Sequence, residues 1–258
     1  MARVAALLLV LVLAGGCGGA EDSDAGGGVS TPSTPSPSAS STPSSTPSET
    51  PSGTRTTPPA PTPTTRRPSR GVDVSHHQGT VDWRAVARDR IDFAYLKATE
   101  GSGFADPRFR DNARGAARAG LRVGGYHFFS TCSAGAPQAE HFVSVLDGSA
   151  ARTLPPAVDL ELVGNCADPP PREVLLREVR TFIDIVERER GQRVVVYAFP
   201  DFEARYRFAP ELDRRQWVRR LGARPPARDW WIWQRSDDAR VAGIDGPADL
   251  NLMRPVRP

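Results

Sequence analysis

Asp159 and Glu161 stand two residues apart in the segment Ala157-Val158-Asp159-Leu160-Glu161-Leu162. The run is short and apolar and follows Pro155-Pro156, which reads as a buried strand whose alternate side chains share one face. The two carboxyls therefore project together, from backbone positions roughly 6.5–7 Å apart. Acids at the end of an apolar strand are costly to bury and seldom serve stability. The chemistry such a pair could perform is cleavage of the acetal link between two sugars. One carboxyl, protonated, serves the leaving oxygen; the other, ionised, meets the developing cation. Two acids solvated in a strand-end loop would show the same spacing, so the surrounding elements must decide.

From Gly71 onward, strand-like and helix-like stretches alternate. Strands are expected at Gly71–Ser75, Ile91–Ala98, Leu121–Phe129, Ala157–Leu162 and Val194–Ala198. Between them, helices are expected after Asp82, after Asp106 as far as Gly120, over Pro137–Leu146, and from Pro171 to Gly191. Asp106 with Pro107 and the closing Gly120 are ordinary start and stop signals. The Pro171 helix carries an apolar stripe of Val174, Leu175, Val179, Phe182, Ile183 and Val186. Short strands around Gln216–Val218, Trp230–Gln234 and Ala248–Leu252 then follow with little helix between them. Repeated strand–helix units imply parallel strands, hence an α/β fold of the irregular, TIM-like (β/α) barrel kind.

Such barrels gather their reactive groups at the C-terminal ends of the strands. The first strand ends at Asp73 with His76 and His77 beyond it, the second at Lys97 and Glu100, and the third at Tyr126 and His127. The fourth carries Asp159 and Glu161, the fifth Tyr197, a later one Trp233 and Gln234, and the last Asp249 and Asn251. Acids ringed by aromatics suit a sugar-binding cleft. Catalytic candidates are Glu161, Asp159, Asp73 and Asp249; Tyr126, Tyr197, Trp233, Gln234 and Glu100 are candidate substrate contacts. Glu100 is also a rival acid. Lys97, the lone lysine, is expected to pair with one of these acids, and His127 to pack or line the cleft. No cofactor is implied. No metal is expected either, since His76 and His77 diverge as neighbours and no third ligand lies at a recognised spacing.

At these residues the chain resembles a known family. Gly71-Val72-Asp73-Val74-Ser75-His76-His77-Gln78-Gly79, Tyr95-Leu96-Lys97-Ala98-Thr99-Glu100-Gly101, Gly125-Tyr126-His127-Phe128, Val158-Asp159-Leu160-Glu161 and Gly243-Ile244-Asp245-Gly246-Pro247-Ala248-Asp249-Leu250-Asn251 resemble glycoside hydrolase family 25. These Chalaropsis-type lysozymes cleave the MurNAc–GlcNAc bond of peptidoglycan. The resemblance spans about residues 70 to 254 with its motifs in order. It implies a distorted barrel of about eight strands and five helices, with Glu161 as catalytic acid, Asp159 as its partner and Asp73 and Asp249 in support. Asp159 would either attack the anomeric carbon or orient the substrate's own 2-acetamido group as internal nucleophile. One departure is Arg235, where the family usually has Tyr. Activity on other N-acetylated glycans, or wall binding without catalysis, are the competing readings.

The N-terminus concerns location. Arg3, the apolar run Val4–Leu13 and Ala14-Gly15-Gly16-Cys17 resemble a bacterial lipoprotein signal, with Cys17 as the lipidated residue. The run is too short to span a bilayer, where about 20 residues are needed. Residues 1–17 are thus expected to export the chain and to lipid-anchor it through Cys17 on the outer face of a bacterial membrane. Ordinary secretion, with cleavage near Ala14 or Ala20, is the alternative. Residues 18–70 are Gly-rich and then rich in Ser, Thr and Pro, a composition with little apolar surface to bury. They read as a disordered stalk before a catalytic domain at 71–258. Five arginines and four acids precede Gly71, leaving 28 basic and 26 acidic residues beyond it. So even a balance argues against nucleic acid as a partner and leaves the glycan strand and the membrane. Cys132 and Cys166, in an exported domain after neighbouring strands, are expected to form a disulfide.

Overall fold

The computed structural model describes residues 67–255. The signal, Cys17 and almost all of the Ser/Thr/Pro-rich stretch lie outside the described residues. In chain order the elements are β1 (Ser69–Val74), α1 (Trp83–Arg88), β2 (Phe93–Glu100), β3 (Phe104–Ala105), α2 (Phe109–Arg118), β4 (Arg122–Phe128), α3 (Gly135–Leu146) and β5 (Ala157–Leu160). They continue with α4 (Arg172–Arg190), β6 (Val195–Ala198), α5 (Pro200–Tyr206), α6 (Ala209–Leu212), β7 (Gln216–Arg219), β8 (Ile232–Ala239) and β9 (Ala248–Met253). Strands β1, β2, β4, β5, β6, β7 and β8 run parallel, each to the next, and β9 closes the barrel antiparallel between β8 and β1. The two-residue β3 only folds back on the end of β2. The result is a closed eight-stranded mixed barrel with six helices.

Period-two alternation divides the apolar residues between two cores. On β2, Ala94, Leu96 and Ala98 face the helices, whereas Phe93 and Tyr95 fill the barrel with Ala157, Val195 and Trp217. Tyr95 and Trp217 stack with ring centres 4.9 Å apart, and the Tyr95 hydroxyl donates to the carbonyl of Pro155. This aromatic plug seals the lower barrel and leaves only its upper end open. Gly135 opens α3 where a Cβ would meet the Glu178 carbonyl at 2.0 Å, so α3 and α4 meet there only through glycine.

Several boundaries differ from expectation for physical reasons. β1 begins at Ser69 because Ser69 and Arg70 pair with Met253 and Leu252, so the barrel claims two residues assigned to the stalk. Asp106 stands ahead of α2 rather than at its cap position: Oδ2 accepts from the backbone N–H of His76 and lies against its Nδ1, Oδ1 accepts from the backbone N–H of Arg108, and the helix starts at Phe109. Helices α5 and α6 were not expected. At seven and four residues they show no periodic stripe and are held by tertiary packing of Phe202, Tyr206 and Phe208.

Cys132 and Cys166 form a disulfide with Cα atoms 6.0 Å apart, tying the loop after β4 to the loop after β5. Closing a loop of this length contributes roughly 3–4 kcal/mol. Replacing both cysteines by serine is expected to lower the unfolding midpoint by about 10 °C in calorimetry, without loss of the barrel.

Candidate active site

Four acids converge at the open end. Asp73 on β1 and Asp249 on β9 are direct cross-strand partners. Asp159 lies inside the barrel on β5, and Glu161 is the first residue past that strand's end, because β5 stops at Leu160 rather than Leu162. Together they line a cavity of about 250 Å³. Because β9 runs antiparallel, Asp249 near its start reaches the rim that the other strands reach with their C-terminal ends.

A polar network fixes the floor. The indole N–H of Trp217 donates to Asn251 Oδ1 at 2.8 Å, and Asn251 Nδ2 donates to Asp73 Oδ2 at 2.6 Å. The Tyr197 hydroxyl donates to Gln234 Oε1 at 3.0 Å, which turns the amide N–H groups of Gln234 toward Asp73. Below Glu161, Asn165 holds the loop by donating to the carbonyls of Glu161 and Phe129.

Burial governs the protonation of all four acids. It pushes Asp159 well above the usual carboxylate range, and the adjacent Glu161 charge adds to the shift. Burial lifts Glu161 to about 7, against a hydrogen bond from Asp159. Asp73 is driven well up by burial and by Asp249, while Asp249 itself reaches about 6, chiefly by burial. Each pair thus holds a shared proton into the neutral range. Asp159 keeps one buried oxygen with no hydrogen-bond partner among the described residues.

These shifts predict the stability profile. Unfolded, Glu161 and Asp249 release protons near pH 4; folded, they retain them to about pH 7 and 6, and Asp73 and Asp159 are raised in the same direction, so the native state binds more protons in between. Stability is therefore full below about pH 4 and falls as pH rises through about 7, by on the order of 3 kcal/mol for Glu161 alone. Thermal unfolding is expected several degrees higher at about pH 5 than at about pH 8. Asp249→Asn should narrow that gap.

Of the expected substrate contacts, Tyr126, Tyr197 and Gln234 line the cavity. Trp233 does not. As the neighbour of the inward Gln234 it faces outward, packs against Trp230 and Val218, and donates its indole N–H to the Arg220 carbonyl. Glu100 also lies outside the acid cluster, paired with Lys97 Nζ at 2.6 Å. His127 is fully buried, bonded to Thr99 and Gln138, and burial pushes it down to about 3; it is a packed neutral histidine. The cavity also uses Trp217, Phe199, Arg219 and Asp237, which were not among the expected contacts. For two of them the signals were strand alternation on Gln216-Trp217-Val218-Arg219 and that segment's resemblance to a Trp-containing strand of a family subgroup.

A β/α barrel whose open end holds paired, proton-sharing carboxyls beside aromatic rings has the architecture of a glycoside hydrolase. Residues 72–244 match Glycosyl hydrolases family 25, and the chain belongs to that family. It is 33% identical over 191 residues to the uncharacterised protein YegX of Escherichia coli (strain K12), covering 71% of this chain and 68% of that one. It is 32% identical over 204 residues to lysozyme M1 of Streptomyces globisporus, covering 70% of this chain and 66% of that protein. A family 25 glycosyl hydrolase of Bacillus anthracis superposes with a TM-score of 0.67 at 33% identity, over 73% of this chain and 89% of its own. The bacterial lysozyme of Streptomyces coelicolor superposes at 0.65 with 29% identity, over 72% of this chain and 92% of its own.

Proposed function

We propose that the protein is a peptidoglycan hydrolase, an N-acetylmuramidase cleaving the β-1,4 bond between MurNAc and GlcNAc, with Glu161 as general acid. The observation that carries this reading is the buried Asp159–Glu161 pair at the open end of the barrel, with Glu161 lifted to about 7 and so protonated at working pH. Asp73, held by Asn251 and Gln234, and its cross-strand partner Asp249 supply negative charge for the developing cation. Tyr126, Tyr197 and Trp217 offer apolar and hydroxyl surfaces to the sugar rings.

A buried free acceptor on Asp159 favours substrate assistance. Glu161 beside it raises its protonation, so the two carboxyls titrate as one coupled pair. The unpartnered buried oxygen of Asp159 is an acceptor suited to the N–H of a 2-acetamido group, which it would turn toward the anomeric carbon. The apolar N-terminal run ending at Cys17 supports an exported, lipid-anchored enzyme acting in the wall space.

The test is digestion of purified peptidoglycan by wild type and Glu161→Gln, followed by borohydride reduction and mass spectrometry. New reducing-end muramic acid from the wild type alone is the expected result. Reducing-end glucosamine would reassign the bond, and no cleavage by folded wild type would overturn the reading.

A further inference from the structure

Arg219 ends β7 and is, among the described residues, the one basic side chain lining a cavity otherwise charged by Asp73, Asp159, Glu161, Asp237 and Asp249. Its guanidinium is held from two sides. One NH2 donates to Asp237 Oδ2 at 2.6 Å, and the plane lies 4.8 Å from the centre of the Phe199 ring. Its remaining N–H groups have no side-chain or carbonyl acceptor among the described residues. The side chain is about one-fifth exposed and lines the cavity. A planar fork fixed in this way, with donors to spare, is pre-organised for a carboxylate. The acids around it would repel any anion not met by a cation at that point.

We propose that Arg219 is a specificity-determining residue that binds a carboxylate carried by the glycan strand. This rests on the muramidase reading, since the sugars of such strands carry acids. Two sources share the chemistry: the lactyl carboxylate of MurNAc, free once its peptide stem is removed, or a carboxylate of the stem itself. Arg219 also draws Glu161 and Asp249 down electrostatically, so its removal alters the acids as well. A ratio of two substrates on the same enzyme cancels that effect.

The experiment measures kcat/KM on peptide-free strands with free lactyl carboxylates, on the same strands converted to methyl amides, and on stem-bearing strands with free or amidated carboxyls. Wild type should favour the carboxylate form by about tenfold, through KM, with the preference weakening as salt is raised. Arg219→Gln should bring the ratio close to one, and Arg219→Lys, which keeps the charge but not the fork, should fall between. Asp237→Asn, which keeps an oxygen acceptor for the fork but removes a competing negative charge, should raise it and guards against a folding defect in the first variant. A preference seen only between the stem-bearing substrates assigns the carboxylate to the stem. An unchanged ratio in Arg219→Gln overturns the assignment. Failure of wild type to cleave any of the strands overturns the muramidase reading, and this inference with it.

Discussion

Glu161→Gln should reduce kcat on peptidoglycan by about 10³-fold while leaving a folded barrel, within the range that a positioned general acid contributes. The amide matches the acid in size but has no proton to give to the leaving oxygen. Burial lifts Glu161 to about 7, so the wild-type rate should fall on an alkaline limb near that pH, with the apparent value belonging to the Asp159–Glu161 pair. The stability change runs the other way. An acid whose folded pKa is raised destabilises the native state above that pKa, so Glu161→Gln should unfold at a higher temperature than wild type at about pH 8, and close to it at about pH 4. Activity assays and thermal melts on one preparation read both. A variant that keeps more than a tenth of the wild-type rate would remove Glu161 from the role of acid.

Asp159→Asn should lower kcat by about 10²–10³-fold and weaken binding of a GlcNAc thiazoline, the cyclised mimic of an acetamido-derived intermediate. Asp159 is 9% exposed and one of its oxygens has no partner, so it is poised to accept from a substrate N–H. An asparagine offers a weaker acceptor and cannot carry the charge that stabilises the cyclised ring. Calorimetric titration of the thiazoline separates the two routes that stereochemistry cannot, because both retain anomeric configuration. Tight binding to wild type that drops in Asp159→Asn supports substrate assistance. Failure of the thiazoline to bind wild type would favour direct attack by Asp159.

The sequence was most legible where periodicity is strong and the competing readings few. The parallel strands through β6, helices α1 to α4 and the Asp-x-Glu pair all follow from apolar alternation, helical stripes and cap residues. It was least legible in the last third. There β7 has four residues, α5 and α6 are too short for a stripe, and β8 carries polar residues along half its length. Trp233 shows the difficulty. Composition makes it an attractive sugar platform, yet its face depends on the register of β8 against β7 and β9, and a shift of one residue would exchange it with Gln234.

By itself, then, the sequence carried the barrel class, the family resemblance and the four acids that meet at the open end, because these rest on local composition, spacing and motif. Only the tertiary structure decided how the acids act together. The antiparallel turn of β9 sets Asp249 opposite Asp73, and closure of the barrel over an aromatic plug buries both pairs deeply enough to share protons near neutrality. It also drew Glu100 into a pair with the buried Lys97, outside the acid cluster, and set Arg219 against Asp237 and Phe199. The physical reason is common to all of these. Protonation and pairing depend on desolvation and on charges brought together from distant strands, and neither is a property of any local stretch of chain.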